Sequence, residues 1–144
     1  MNKKNFVYPS ELASEERMYD QIKEFLIEAG LTPRMFQKVM LPISEAFTNA
    51  LVHGNEFIAD KKIIISITVN DDVVLVDIID EGEGDLSPLK YRKLSGPLEE
   101  GGRGIDLMSK LADRLEIRKN DDSRGWWISM TFDRNAHEYK QKQI

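Results

Sequence analysis

Residues 63–80 read Ile63-Ile64-Ile65-Ser66-Ile67-Thr68-Val69, Asn70-Asp71-Asp72, then Val73-Val74-Leu75-Val76-Asp77-Ile78-Ile79-Asp80. Two β-branched runs on either side of an Asn-Asp-Asp turn predict a β-hairpin. Its second strand ends on a carboxylate, followed at once by Glu81-Gly82-Glu83-Gly84. Strand chemistry therefore stops abruptly, and alternating glycines let the chain turn sharply there.

Upstream of the hairpin the period changes to that of helices. Met18, Ile22, Phe25, Leu26 and Ala29 recur at helical spacing after Glu15-Glu16, whose charges suit a first turn, and Gly30 supplies a stop. These signs predict a helix over about residues 14–29. Thr32-Pro33 then offers an N-cap followed by proline at the first helical position. Phe36, Val39, Met40, Ile43, Phe47, Ala50 and Leu51 form the apolar stripe of a second, longer helix. Pro42 is expected to kink or divide it, and His53-Gly54-Asn55 to end it. Before both helices, Phe6-Val7-Tyr8-Pro9 reads as a short extended segment.

Downstream, Gly101-Gly102-Arg103-Gly104 opens a third helical pattern through Ile105, Leu107, Met108, Leu111 and Ala112. Asp113 to Arg118 and Gly125 to Phe132 read as two more strands around the turn Asn120-Asp121-Asp122-Ser123. Helices, hairpin, helix, hairpin describe an α+β two-layer sandwich. Three or so helices cover one face of a mixed, mostly antiparallel sheet. One domain over 1–144 is expected, with a core over about 10–132 and a polar tail from 135 to 144.

Composition narrows the function classes. With 144 residues, 41% hydrophobic, the chain can build one core. Its 25 acidic and 20 basic residues give a net charge of -5, and its short basic runs are offset by nearby acids. No electrostatic footprint for nucleic acid results. The absence of cysteine removes disulfides, thiol nucleophiles and thiolate metal sites, and two histidines argue against a His-rich zinc site. No stretch approaches the roughly 20 apolar residues of a membrane span, and no signal peptide is seen. The expected location is the cytosol.

Three constellations carry chemistry. Glu45 and Asn49 stand one helical turn apart on the second helix, so they share a face. The amide oxygen of Asn49 suits Mg²⁺, which takes its other ligands from phosphates and water, while Glu45 can accept a proton from an attacking hydroxyl. By itself such a pair also describes a polar stripe on a surface helix. Second, Asp80 with Gly82 and Gly84 can accept a hydrogen bond from the exocyclic amine of a base brought close to the backbone; an acidic β-turn is the plainer reading. Third, Gly102, Arg103 and Gly104 precede a helix, where converging N–H groups and the helix dipole favour phosphate and a guanidinium adds a charge-assisted contact. Neither a P-loop nor a strand-linked G-x-G-x-x-G occurs.

Taken in order, Glu45-Ala46-Phe47-Thr48-Asn49-Ala50, Asp80-Glu81-Gly82-Glu83-Gly84 and Gly102-Arg103-Gly104 resemble the N-box, G1 and G2 boxes of the gyrase, chaperone, histidine-kinase and MutL ATPase superfamily. Ser44-Glu45-Ala46 through Leu51-Val52-His53-Gly54-Asn55 is most similar to the bacterial anti-sigma-factor serine/threonine kinases. Sensor histidine kinases usually carry asparagine where this chain has Glu45. Their separate helical domain with a phosphoacceptor histidine is not expected in 144 residues.

The resemblance implies a Bergerat-type ATP-binding fold with ATP and Mg²⁺ as cofactors. It makes Glu45 the general base and Asn49 the Mg²⁺ ligand. Asp80 would hold the adenine amine, with Gly82 and Gly84 giving the base room, and Gly102, Arg103 and Gly104 would line the phosphates. The stretch 85–100 would be the ATP lid, and it exceeds the ordinary loop length of about 12–15 residues. The family often has Gly-Thr at the start of its last strand, where this chain has Gly125-Trp126. Trp126-Trp127 itself reads as one core and one half-exposed strand residue, and His53 as a helix-end residue rather than a ligand.

The implied activity is phosphorylation of a serine on an antagonist protein, by a protein that also binds a sigma factor and forms a homodimer. An alternative of a different class is a nucleotide-gated module that sequesters a partner without phosphoryl transfer. Activation of water by Glu45, as in the hydrolases of the superfamily, is a third reading.

Overall fold

The computed structural model describes residues 1–82, 102–119 and 125–135, without the side chains of 102–106. The elements run β1 (Asn2–Pro9), α1 (Ala13–Glu28), α2 (Pro33–Asn49), a π-turn (Ala50–Gly54), β2 (Lys62–Val69), β3 (Val73–Asp80), α3 (Gly102–Leu111), β4 (Arg114–Lys119) and β5 (Trp126–Asp133). The five strands form one sheet in the order β1-β2-β3-β5-β4. All four pairings are antiparallel. The fold is the α+β two-layer sandwich, with the helices on one face.

Period-two alternation explains the sheet. In β2, Ile63, Ile65, Ile67 and Val69 are buried while Ile64, Ser66 and Thr68 are only partly so. The turn after it is closed by Asn70, whose Oδ1 accepts the Asp72 and Val73 N–H groups, both at 2.8 Å. Arg134 braces the same turn from the far end of the chain, donating from Nη1 to the Asn70 carbonyl at 2.8 Å.

The expected short segment at Phe6–Pro9 is an eight-residue edge strand, paired along its whole length with β2. Its polar first half, Asn2-Lys3-Lys4-Asn5, hides the strand pattern. Only Phe6 and Tyr8 point into the core. Tyr8 meets Phe47 edge-to-face at 5.9 Å, and Phe6 meets Phe25 at 5.8 Å, so β1 is held by aromatic contacts to α1 and α2.

The helices start as the sequence indicates. Thr32 caps α2 by accepting the Met35 N–H at 3.2 Å, with Pro33 first in the helix. Ser14, by contrast, lies inside α1 and donates to the Pro9 carbonyl at 2.8 Å, tying the helix to β1. Pro42 does not divide α2: the helix is continuous from Pro33 to Asn49, and the regular ladder gives way only in the π-turn beyond it.

Phe47 is fully buried between α2, β1 and the sheet. Its replacement by alanine is expected to cost about 3–5 kcal/mol, the range for emptying an aromatic site in a packed core. Urea unfolding monitored by far-UV circular dichroism measures this, and a loss under about 1 kcal/mol would contradict the packing described.

Candidate functional site

Three separate segments converge on the end of β3. Asp80 is 2% exposed, and its Oδ1 accepts two backbone N–H groups, from Gly82 at 3.1 Å and from Trp126 at 3.0 Å. Its Oδ2 is directed to the end of α2, where Gly54 leaves it space: a Cβ on Gly54 would overlap that oxygen. A Cβ on Gly82 would run into the Gly54 carbonyl, and one on Gly125 into the Asp80 carbonyl. Gly125 also has φ +122, a conformation that side chains disfavour. Three glycines thus wall in one carboxylate.

Burial pushes the Asp80 carboxyl up to about 6, against the two N–H donors and the Lys61 charge, which pull it down. Oδ1 is saturated by backbone; no hydrogen bond falls on Oδ2 among the described residues. A ligand amine is the kind of donor that oxygen lacks.

Asn55, next after the π-turn, is completely buried. Its Nδ2 donates to Ser10 Oγ at 2.7 Å and to the Lys62 carbonyl at 3.0 Å, and its Oδ1 accepts the Glu81 N–H at 2.9 Å. Ser10 Oγ donates in turn to the Lys61 carbonyl at 2.6 Å, and Glu81 accepts the Lys62 N–H at 2.5 Å. Apart from their place in the resemblance, the sequence marked Gly54 and Asn55 as a helix stop and Gly125 as the start of the last strand, and assigned none of them a role in the site. Nothing local distinguishes a buried asparagine from a solvated one.

On α2, Glu45 is half-buried and Asn49 is 5% exposed, one turn apart. The Asn49 Nδ2 is buried with no hydrogen-bond partner. A buried amide nitrogen without a partner costs about 1–3 kcal/mol, so this position is energetically unusual. Its amide group also fits the expected role, because the oxygen of the same amide is a neutral ligand suited to Mg²⁺.

Gly102, Arg103 and Gly104 form the first turn of α3, which packs on α2, so their backbone opens that helix at its positive end. The Arg103 side chain, Gly84 and the expected lid 85–100 lie outside the described residues. His53 is exposed in the π-turn, and no cluster of metal-ligating side chains occurs among the described residues. Trp126 is buried, and Trp127 lies half-buried on the outer face. Trp127 donates to Asp77 at 2.9 Å and carries the Arg118 guanidinium over its ring at 3.5 Å.

The Asp80 environment sets a pH dependence. The folded chain keeps this proton up to about pH 6, while the unfolded chain releases it near 3.8. Its contribution to stability is therefore complete below pH 3.8 and is lost as pH rises through 6, an effect of about 3 kcal/mol. Denaturant titrations of the wild type and Asp80→Asn between pH 4 and 7 isolate it: the difference between the two should change with this sign, and a pH-independent difference would refute the burial argument. Gly125→Ala should destabilise strongly at every pH, by several kcal/mol as an order of magnitude, because neither the φ nor the Asp80 carbonyl can yield.

Comparison with known proteins agrees with this geometry. Residues 8–132 match the model of the histidine kinase-like ATPase domain. The anti-sigma F factor of Bacillus velezensis is 33% identical over 100 residues, covering 67% of this chain and 68% of that protein. The anti-sigma F factor of Bacillus subtilis is 32% identical over the same length and shares. A crystal structure of the RsbU and RsbW domains of a Mycobacterium tuberculosis protein superposes with a TM-score of 0.66 at 16% identity, over 92% of this chain and 32% of that one, a likeness of fold. No described helix is long and apolar enough to cross a membrane. With the box residues in order on an α+β sandwich, this chain belongs to the histidine kinase-like ATPase domain family, in the group of the bacterial anti-sigma factors.

Proposed function

We propose that this protein binds ATP with Mg²⁺, transfers the γ-phosphate to a serine of an antagonist protein, and regulates a sigma factor by binding it. The single observation that carries the reading is the pair Glu45 and Asn49 on one face of α2, with the Asn49 Nδ2 buried and unpartnered. A structural asparagine would have its hydrogen bonds made within the protein.

The residues divide the work as follows. Asp80 Oδ2 accepts the adenine amine, and Gly82 and Gly84 let the base approach the backbone. The N–H groups of Gly102, Arg103 and Gly104 receive phosphate oxygens at the positive end of α3, and the Arg103 guanidinium steadies the transferred group. Asn49 would hold Mg²⁺, which when bound neutralises charge on the phosphates. Glu45 takes the proton of the serine hydroxyl as its oxygen bonds to the γ-phosphorus; the bond to the bridging oxygen breaks and ADP leaves. The stretch 85–100 acts as the lid that keeps water from competing. The protein works in the cytosol as a homodimer, with neither nucleic acid nor membrane as a partner.

A second reading, a nucleotide-gated module that sequesters its partner without transfer, draws support from Trp126. That position offers Asp80 a backbone N–H and no side-chain hydroxyl, so nucleotide could be held chiefly to present a surface.

Incubation with γ-labelled ATP, Mg²⁺ and the antagonist protein separates the two. Label should appear on the antagonist, and Glu45→Ala should reduce the rate at least about 10²-fold while leaving ATP affinity nearly unchanged. Full activity of Glu45→Ala would remove the general-base role, and bound ATP that never becomes ADP would favour the binding module. Asn49→Ala should weaken ATP binding in the presence of Mg²⁺ far more than in EDTA, as read by calorimetry.

A further inference from the structure

We infer that Asn55 is a positioning residue for base recognition: it sets the adenine side of the nucleotide site by tying the end of β3 to the end of α2. The inference rests on the proposal that Asp80 receives the adenine amine.

The connection between α2 and β2 is locally unfavourable. The Asn55 N–H donates to Ala50 at 2.7 Å and the Phe57 N–H to Leu51 at 3.0 Å, both wider than an α-helical turn. Glu56 and Phe57 then follow in left-handed conformations, φ 53 and 58, although neither is glycine. Such backbone persists only where its surroundings over-determine it, and it gathers at functional sites. The over-determination here comes from Asn55. Its backbone is bonded on both sides, with the Ile58 N–H donating to its carbonyl at 3.0 Å, and its side chain makes three further bonds.

The three side-chain bonds have different consequences. Two go from Nδ2 to Ser10 and Lys62, which join the start of α1 and the start of β2 to the turn. The third goes from the Glu81 N–H to Oδ1 and acts on the site itself. Glu81 lies between Asp80 and Gly82, the residue whose N–H orients the carboxylate. Gly82 in turn packs against the Gly54 carbonyl and the Asn55 nitrogen so closely that a Cβ would not fit. Without the Glu81–Asn55 bond, the end of β3 can move away from α2. Gly82 would leave Oδ1, and Asp80 Oδ2 would lose its fixed direction over Gly54. The Glu81 N–H would also lose its side-chain partner.

The readout is base selectivity, which a merely structural role does not change. Affinities for ATP and for inosine triphosphate, which carries an oxygen where adenine carries the amine, are measured by calorimetry with Mg²⁺ on the full chain. The wild type should prefer ATP by at least about tenfold, the value of one hydrogen bond to a carboxylate. Asn55→Ala should cut that preference to about twofold while changing inosine triphosphate affinity little. Asn55→Ser, too short to reach the Glu81 N–H, should do the same and serves if the alanine variant does not fold. Ser10→Ala and Ile67→Ala, which lower stability but spare the Glu81 bond, should keep the wild-type preference. Unchanged selectivity in Asn55→Ala or Asn55→Ser would overturn the inference, as would an equal loss in Ile67→Ala. If Asp80→Asn keeps the preference, the adenine role of Asp80 itself fails, a distinct result.

Discussion

A buried carboxylate that cannot be abandoned organises this molecule. Asp80 sits at the end of a central strand, 2% exposed, where an unpaired charge would be very costly. One of its oxygens is supplied by N–H groups from the following turn and from the start of β5. To bring those groups within reach, β5 must begin against the end of β3, and the end of α2 must close over the other oxygen. Each approach is closer than a side chain permits, so glycine stands at 54, 82 and 125. The end of the sheet, the end of α2 and the first residue of β5 are consequences of one hydrogen-bonding requirement.

The rest of the sandwich makes that arrangement rigid. β3 pairs along its length with β2 on one side and β5 on the other, so its last residue has little freedom. α2 is anchored through Val39, Ile43, Ala46 and Phe47, all fully buried, and presents Glu45 and Asn49 from the remaining arc. Asp80 on a central strand and Asn49 on an anchored helix are thereby held in place by regular structure. On that arc the Asn49 Nδ2 is buried without a hydrogen-bond partner.

The departures from the sequence-based expectation are instructive. β1 is a full edge strand although half of it is polar, because an edge strand needs only one apolar face and Phe6 and Tyr8 provide it. Pro42 leaves α2 continuous, and the irregular geometry appears about two turns later, in the π-turn that ends on Gly54 against Asp80. Trp126, where the resemblance leads one to expect threonine, still contributes to Asp80 through its backbone. Its side chain meanwhile joins the core.

Local chemistry determined much of this protein in advance. The hairpin over 63–80, the Thr32 cap, the helical stripes and the α+β layering follow from periods of two and 3.6 and from turn residues, which act within a few positions. The order and spacing of Glu45, Asn49, Asp80, Gly82, Gly84 and Gly102 to Gly104 carried the resemblance to the ATPase family, to which the chain belongs. Only the tertiary structure decided what surrounds them. The Trp126–Asp80 bond spans 46 positions, Asn55–Ser10 spans 45 and Glu81–Asn55 spans 26. Whether a given glycine faces a carbonyl, or a given asparagine is sealed from water, depends on how distant segments pack. No window of sequence contains that information, and the Asn55 knot and the glycine walls around Asp80 emerged only when the chain was folded.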